Sequence, residues 1–412
     1  MAEQDTIAVV GAGVIGSAVA FALAREGRRV TLFDRMPPGE GGASYGNAGH
    51  VATELVEPLP SPALLFGFWR QLSLFGGALD ISAHHLRKFT PWAIGFARAA
   101  FRRRVNTALL APFVRPAVPA LATLLANAGR ADLLRRNGHF EVWLQGRVHR
   151  SARAQSAAME RLEVETRPAP LEVVEAARNA ARATDAAGLW FPRCAHVVDP
   201  LEVVRAFSSA AMRSGAQFFR REVLALRPVP EGCEVVTAEG STRVRAVIVC
   251  AGAWSAPLVA PFGLQVPLEA ARGYHVQMPE AAPLVDAPLL YADENILVTP
   301  LLGRVRATSF MEFSGIDAPP DSRKSARLRE SLRTLGYRCD DHAPAWAGPR
   351  PVLPDYLPAI GRARDAPCLF YAFAHQHIGL TLSGMTALAM ADLVAGRPRP
   401  DLEGFDLRRF SV

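Results

Sequence analysis

Three glycines near the amino terminus have the spacing to do chemistry. Gly11, Gly13 and Gly16 form a Gly-x-Gly-x-x-Gly turn, and an acid, Asp34, follows about 20 residues later. The first glycine suits a tight turn, the second lets backbone approach a pyrophosphate, and the third lets a helix pack against a strand. The free N–H groups at the start of the helix that follows, with Val14 and Ile15 in the turn, suit phosphate oxygens. Asp34, with Arg35 beside it, can accept from a ribose hydroxyl. The pattern points to a dinucleotide site. Nicotinamide and flavin dinucleotides share it, and with no ligand it would be only a tight strand–helix junction.

The elements around these residues must hold them in place. Ile7–Val10 is wholly apolar, as a strand buried on both faces should be. A helix over 17–25 ends at Gly27, and a second apolar strand over 29–33 ends at Asp34. A further apolar strand over 246–250 runs into Ala251-Gly252-Ala253-Trp254. The strand Leu369–Phe373 leads to a helix from Gly379 to Val394, closed by Gly396. If these later strands join the first two, the cofactor domain is discontinuous. The Gly379 helix would then aim its positive end at the cofactor, which suits a reduced flavin; an ordinary strand–helix unit fits the residues equally well. Between these pieces lie helices with many aromatic residues over 60–130 and Ala- and Arg-rich helices over 150–185. A helix from Pro200, an antiparallel meander turning at Gly232 and Gly240, strands over 265–313 and a helix over 323–335 follow.

Composition narrows the class. Half of the 412 residues are hydrophobic and 21% are charged, enough to bury a sizeable core. The net charge of +7 comes from dispersed arginines; Lys88 and Lys324 are the only lysines and Arg102-Arg103-Arg104 is the one tight cluster. No nucleic-acid partner is expected from that scatter. The five cysteines are far apart and lack a Cys-x-x-Cys pair, which predicts a reducing compartment and no metal. The acidic start is unlike a signal peptide, and no apolar run approaches the roughly 18 residues of a spanning helix. A cytoplasmic protein is expected, with a peripheral contact on the inner face of the cytoplasmic membrane as an alternative. That alternative comes from Phe66, Phe68, Trp69, Phe75, Phe89, Trp92, Phe96 and Phe101, which lie among basic residues. They could dock on a membrane and pass electrons to quinone, or form a helical cap on the substrate domain. The cap is favoured, because Arg103 interrupts the apolar stripe.

Four segments resemble the glycine/D-amino acid oxidase family of FAD-dependent amine oxidoreductases, and within it the bacterial D-amino acid dehydrogenases. The turn with Asp34 is similar to the family's ADP-binding start. Ser44-Tyr45-Gly46-Asn47-Ala48-Gly49 resembles its flavin-contacting loop. Ala251–Ser255 and Arg272-Gly273-Tyr274 resemble its second sheet-end motif and the entry to the substrate sheet. Gly348-Pro349-Arg350-Pro351, Pro354-Asp355 and Pro358-Ala359-Ile360-Gly361, leading to His375 and Gly379-Leu380-Thr381, resemble its last signature.

The resemblance implies an α/β fold: a discontinuous Rossmann-type FAD-binding domain over 1–58, 190–256 and 345–412. A substrate domain with an antiparallel sheet and helical cap would take 59–189 and 257–344. It implies non-covalent FAD, touched by the glycine turn, Asp34, Arg35, Ser44, Asn47, Ala48, Gly49, Val223, Ala251, Gly252, Trp254, Gly379, Leu380 and Thr381. It also implies hydride transfer from the α-carbon of a D-amino acid, such as D-proline or a hydroxy-D-proline, to flavin N5, with a quinone or electron-transfer protein as acceptor. Arg350 would clamp the substrate carboxylate, with Tyr291 as a second contact and His50, Arg272 and His377 near the pocket. Arg272 could instead pair with an acid such as Glu269. Three residues depart from the pattern: Ala374 where the family has Gly, Leu380 for a frequent Trp, and a bulky His377. Sarcosine-oxidase-like relatives use a Lys to activate oxygen and a Cys to hold flavin; neither is evident here. The rival readings are an oxygen-using glycine/sarcosine-type amine oxidase, a flavin-binding relay subunit and, more remotely, a nicotinamide dehydrogenase.

Overall fold

The computed structural model describes residues 6–72, 77–279 and 281–410, without the side chains of Trp69 and Arg70. Phe75 and the Trp69 side chain of the aromatic segment lie outside what is described.

Alternation along the first strand decides how the first layer is built. Ile7 and Val9 point into one apolar cluster, while Ala8 and Val10 point into another. A strand buried on both faces needs a layer on each side. The helices Val14–Arg25, Pro200–Arg213 and Gly379–Val394 supply one layer. A three-stranded antiparallel meander, Ala225–Val229, Gly232–Thr237 and Gly240–Val244, supplies the other. Between them lies a six-stranded sheet in the order Gln217–Arg220, Val30–Asp34, Ile7–Val10, Ala246–Val249, Leu369–Phe373, Ala359–Arg362. The first five strands are parallel and the last is antiparallel. Register puts Ile7 beside both Val30 and Ala246, so the glycine turn and the ends of its neighbours meet at one sheet edge.

A nine-stranded, mostly antiparallel sheet forms the second layer system. Its edge runs Ala345–Val352, Glu269–Pro279, Arg304–Phe313, then Ile296–Leu301 and Leu289–Tyr291. His139–Trp143 pairs parallel to Leu289–Tyr291, and Ala187–Phe191 pairs with His139–Trp143. The helix Ser322–Thr334, N-capped by Asp321, buries Leu328 and Leu332 in the same cluster as Val276 and Val305.

Three parts of the expected domain layout move. Ala345–Val352 hydrogen-bonds to Glu269–Pro279, so it belongs to the large sheet. Ala187–Phe191 joins that sheet too, which shifts the expected boundary at 189 by two residues, Trp190 and Phe191. The helices Arg103–Val114 and Ala117–Asn127 share the cluster of the Gly379–Val394 helix, because Gly384 has no side chain to hold the Leu121 backbone away. These two helices form the longest apolar helical stretch among the described residues, interrupted by Arg115. Arg103–Asn127 reaches spanning length and mean hydropathy, but half of its most apolar window is buried, and its apolar residues pack with the first sheet's helices as core helices do. The helix Leu86–Ala100 packs as a cap: Phe89 and Trp92 lie against Phe313, and Trp92 Nε1 donates to Val352 O at 3.1 Å. Phe66 and Phe101 remain exposed.

Candidate active site

A cavity of about 490 Å³ opens where the parallel strands end, between the two sheets. The glycine turn forms its floor. Gly11 has φ +103°, and a Cβ there would crowd Cys250 O; a Cβ on Gly16 would overlap Gly11 O. Gly16 therefore sits behind the turn, packing helix on strand, while Gly11, Gly13, Val14 and Ile15 face the cavity. The helix that starts at Val14 has no side-chain cap on Gly13. Ser44 Oγ reaches across to accept from Val14 N at 3.0 Å, which brings the second glycine-rich loop over the turn. Asp34 accepts from Ala12 N at 2.7 Å and from Met36 N at 2.9 Å. Burial raises its carboxyl above the usual value despite these bonds. Arg35 stacks over Trp254, 4.2 Å from the ring centre, and pairs with Glu222 at 3.6 Å. Arg35, Trp254 and Glu222 line the same wall as Val223, Ala251 and Gly252.

A second helix end faces the cavity from the far side. The helix Gly379–Val394 has no side-chain cap at Ile378, and Gly379 and Leu380 line the wall. The loop before it is strained. Ala374 has φ +58° and Gln376 φ +53°, in the left-handed region where non-glycine residues cost about 1–2 kcal/mol. The expected departure at Ala374 thus falls where the backbone does favour glycine. Gln376 over-determines the loop, with Nε2 donating to Leu357 O at 3.2 Å and Ala374 O at 2.8 Å. One helix end capped only by Ser44 from across the cavity, a second with no side-chain cap, and a turn that side chains at Gly11 and Gly16 would disrupt suit the phosphates and the anionic edge of a dinucleotide such as FAD.

The opposite wall comes from the large sheet. Arg350 is half-buried and has no carboxylate partner among the described residues; Nη1 donates to Phe310 O at 3.2 Å. Desolvation pulls its guanidinium below the ordinary value. His377 lines the open part of the cavity, and the surrounding protein followed by Arg350 holds its imidazole down at about 4. His50 also lines the wall, but its Nε2 is buried and unpartnered, 3.6 Å from Glu54 Oε1. Burial, with His139, His196 and His377 near, keeps His50 well below the imidazole range. Burial pushes Glu54 up to about 7, and Cys194 Sγ donates to its other oxygen at 2.9 Å. His50, Glu54 and Cys194 are the one group of three metal-ligating side chains that converges among the described residues. The thiol proton shared between Cys194 and Glu54 already satisfies two of its three members.

Several residues expected at the site lie elsewhere. Tyr291 is buried under the large sheet, where its hydroxyl meets the Tyr337 hydroxyl at 3.1 Å. The strand alternation that buries Leu289 and Tyr291 points both away from the cavity. Arg272 is also buried, tied to Pro319 O at 3.0 Å and Ser314 Oγ at 3.2 Å and 3.7 Å from Glu312. Its acid is Glu312, while Glu269 holds His85 at 2.9 Å. Thr381 turns inward, accepting from Ala52 N at 2.9 Å. Gly49 makes the turn that lets its O accept from Val197 N at 2.8 Å, outside the wall formed by Ser44, Asn47 and Ala48. Asn47 Oδ1 faces Gly49 N at 2.8 Å, and Arg306 donates to Asn47 O. Trp346 lies in none of the motifs and is not among the expected site residues. Its ring occupies the space left by Gly46 on the loop and Gly348 on its own strand, stacks on His275 and lines the cavity. The two glycines are the signal that could have found it.

Comparison with known proteins matches the family model described as FAD dependent oxidoreductase over residues 6–393. A D-amino-acid oxidase of Bradyrhizobium diazoefficiens is 32% identical over 436 aligned positions, covering all of both chains. A D-amino acid dehydrogenase of Paramagnetospirillum magneticum is 28% identical, covering 98% of this chain and 99% of its own. A glycine oxidase structure from Geobacillus kaustophilus shares the fold, with a TM-score of 0.75 at 22% identity, over 99% of this chain and 100% of its own. A match that runs from residue 6 to residue 393 fixes the assignment: the chain belongs to the FAD dependent oxidoreductase family, and it is an FAD-dependent enzyme.

Proposed function

We propose that this enzyme is a D-amino acid dehydrogenase that oxidises a neutral D-amino acid, with a cyclic one such as D-proline or a hydroxy-D-proline as the leading candidate. The observation that carries the reading is Arg350, a cation on the cavity wall with no carboxylate partner among the described residues. A guanidinium binds a carboxylate through two parallel hydrogen bonds. The names of the curated relatives agree with an amino-acid substrate.

Non-covalent FAD would be held by the glycine turn, Asp34, Ser44, Trp254 and the Gly379 helix end. When bound, it supplies the acceptor for the α-hydrogen, taken as hydride at N5. The chain's own residues bind and orient the substrate. Arg350 fixes the carboxylate and so aims the α-carbon. The amine must react without its extra proton. The Arg350 cation and a desolvated wall both disfavour an ammonium there. His50 and His377, held neutral, neither repel the amine nor compete for the carboxylate. The two acids among the described residues of the wall, Asp34 and Glu222, lie at the Arg35 end, which leaves none of them beside Arg350 to pair with a basic substrate side chain.

A quinone or electron-transfer protein is the proposed acceptor. No lysine is among the described residues of the wall; Lys324 is buried 2.6 Å from Asp80, and Lys88 is exposed on the cap helix. An oxygen-using enzyme is the second reading, favoured by the name of the Bradyrhizobium relative. Turnover of D- and L-amino acids, sarcosine and glycine with an artificial electron acceptor tests the proposal. Neutral D-amino acids should react fastest; exclusive turnover of L-amino acids or of sarcosine would overturn it.

A further inference from the structure

Arg350 stands on the edge strand Ala345–Val352, yet its guanidinium reaches the third strand, Arg304–Phe313, by crossing the strand between them. The crossing passes over Gly273. A Cβ built on Gly273 would overlap the Arg350 guanidinium carbon and both terminal nitrogens. Gly273 is extended and needs no special backbone conformation, so what its missing side chain provides is the path.

The far end of the path is also unusual. Register slips between Arg272 and Tyr274: Arg272 faces Glu312 and Tyr274 faces Ser309, leaving Phe310 and Met311 opposite Gly273. Phe310 sits at φ +64°, a region that a bulky residue rarely adopts. Bulges re-aim groups, and strain kept in a packed strand marks a position that the surroundings enforce. Here the surroundings are Tyr274, edge-on to the Phe310 ring, and Arg327 over it at 5.5 Å. The re-aimed group is the Phe310 carbonyl, which accepts from Arg350 Nη1. With Nη1 tethered, Nε and Nη2 have no partner among the described residues, and they form the free edge of the fork.

We propose that Gly273 and the bulged Phe310 carbonyl together set the Arg350 guanidinium, presenting its Nε–Nη2 edge to the substrate carboxylate. Gly273 is thereby a positioning residue for carboxylate recognition. The inference rests on the reading of Arg350 as the carboxylate clamp. The three atoms nearest an alanine methyl at 273 all belong to the flexible end of the arginine, so the methyl should displace the clamp rather than the sheet.

The test uses the FAD-loaded enzyme and two readouts, KM for the best D-amino acid and Kd for benzoate, a simple carboxylate followed by the flavin spectrum. Gly273→Ala should keep FAD and melting temperature while raising both constants at least tenfold, with a smaller fall in kcat. In an Arg350→Met background, Gly273→Ala should change either constant less than twofold, since its target is gone. If Arg350→Met leaves both constants at wild-type values, the clamp reading itself fails. If Arg350→Met raises them but Gly273→Ala does not, the clamp stands and the positioning role is refuted. A second pair covers a Gly273→Ala that fails to fold. Phe310→Gly tolerates the left-handed backbone and should keep KM, whereas the β-branched Phe310→Thr should turn the carbonyl away and raise it. Equal KM in the two variants would refute the tether.

Discussion

Replacing Arg350 by methionine should harm catalysis and help the fold. Methionine keeps the apolar stem and removes the fork. A carboxylate bound by two charge-assisted hydrogen bonds, each worth about 1.5–3 kcal/mol, would lose both. Part is recovered by water, so a loss of at least about 3 kcal/mol in transition-state stabilisation is expected, consistent with truncating one partner of a desolvated charge pair. At about 1.4 kcal/mol per tenfold, that is a hundredfold or more in kcat/KM. Stability should move the other way. The arginine carries a desolvated charge whose one protein partner in the structure is a carbonyl, so its removal relieves a penalty and the melting temperature of the flavin-free protein should hold or rise. The assays are steady-state turnover with a neutral D-amino acid at pH 8, flavin content by absorbance, and thermal unfolding. A variant with full flavin and kcat/KM within tenfold of wild type would remove Arg350 from the substrate site.

Asp34→Ala should weaken FAD binding to the apoprotein by about 1–3 kcal/mol in a fluorescence titration, through loss of a carboxylate acceptor. Substrate-reduced enzyme should reoxidise slowly in air-saturated buffer and quickly with a quinone, followed by stopped flow; oxygen reoxidation as fast as turnover, with stoichiometric hydrogen peroxide, favours the oxidase reading. The melting temperature should fall on acidification from pH 6.5 to 4. Burial lowers His139 and His196 to about 4 and His275 and His375 to about 3, so the unfolded chain binds their protons first and their stabilisation, full above pH 6.5, is lost as pH falls. Each histidine contributes up to about 1.4 kcal/mol per pH unit in that window. Glu54 and Glu141, raised to about 7, act oppositely: their stabilisation is full below about 4.5 and lost as pH rises through 7. His50 and His377, also held low by burial, add to the histidine side and Asp34, held high, to the carboxyl side, so with six histidines against three carboxyls the fall should still be seen, and a flat or rising profile would contradict the assigned burial.

The glycine turn, the acid at 34 and the last strand–helix pair could be read from the chain because each is a local device. A tight turn, a free helix end and a strand buried on both faces write themselves into a few neighbouring residues, and a family signature adds the rest. Placement across distance could not be read in that way. Tyr291 and Arg272 have residue types suited to binding a carboxylate, but strand alternation and the loop over 314–319 turn them into the interior. Arg103–Asn127 belongs to the first sheet's helical layer because one glycine, Gly384, permits the contact. Cys194 meets Glu54 from 140 positions away. The path of the Arg350 side chain depends on a glycine in the next strand and a bulge in the one after. Local sequence sets backbone preference and polarity, whereas register, facing and close approach are properties of pairs of segments, and only the packed structure selects the pairs.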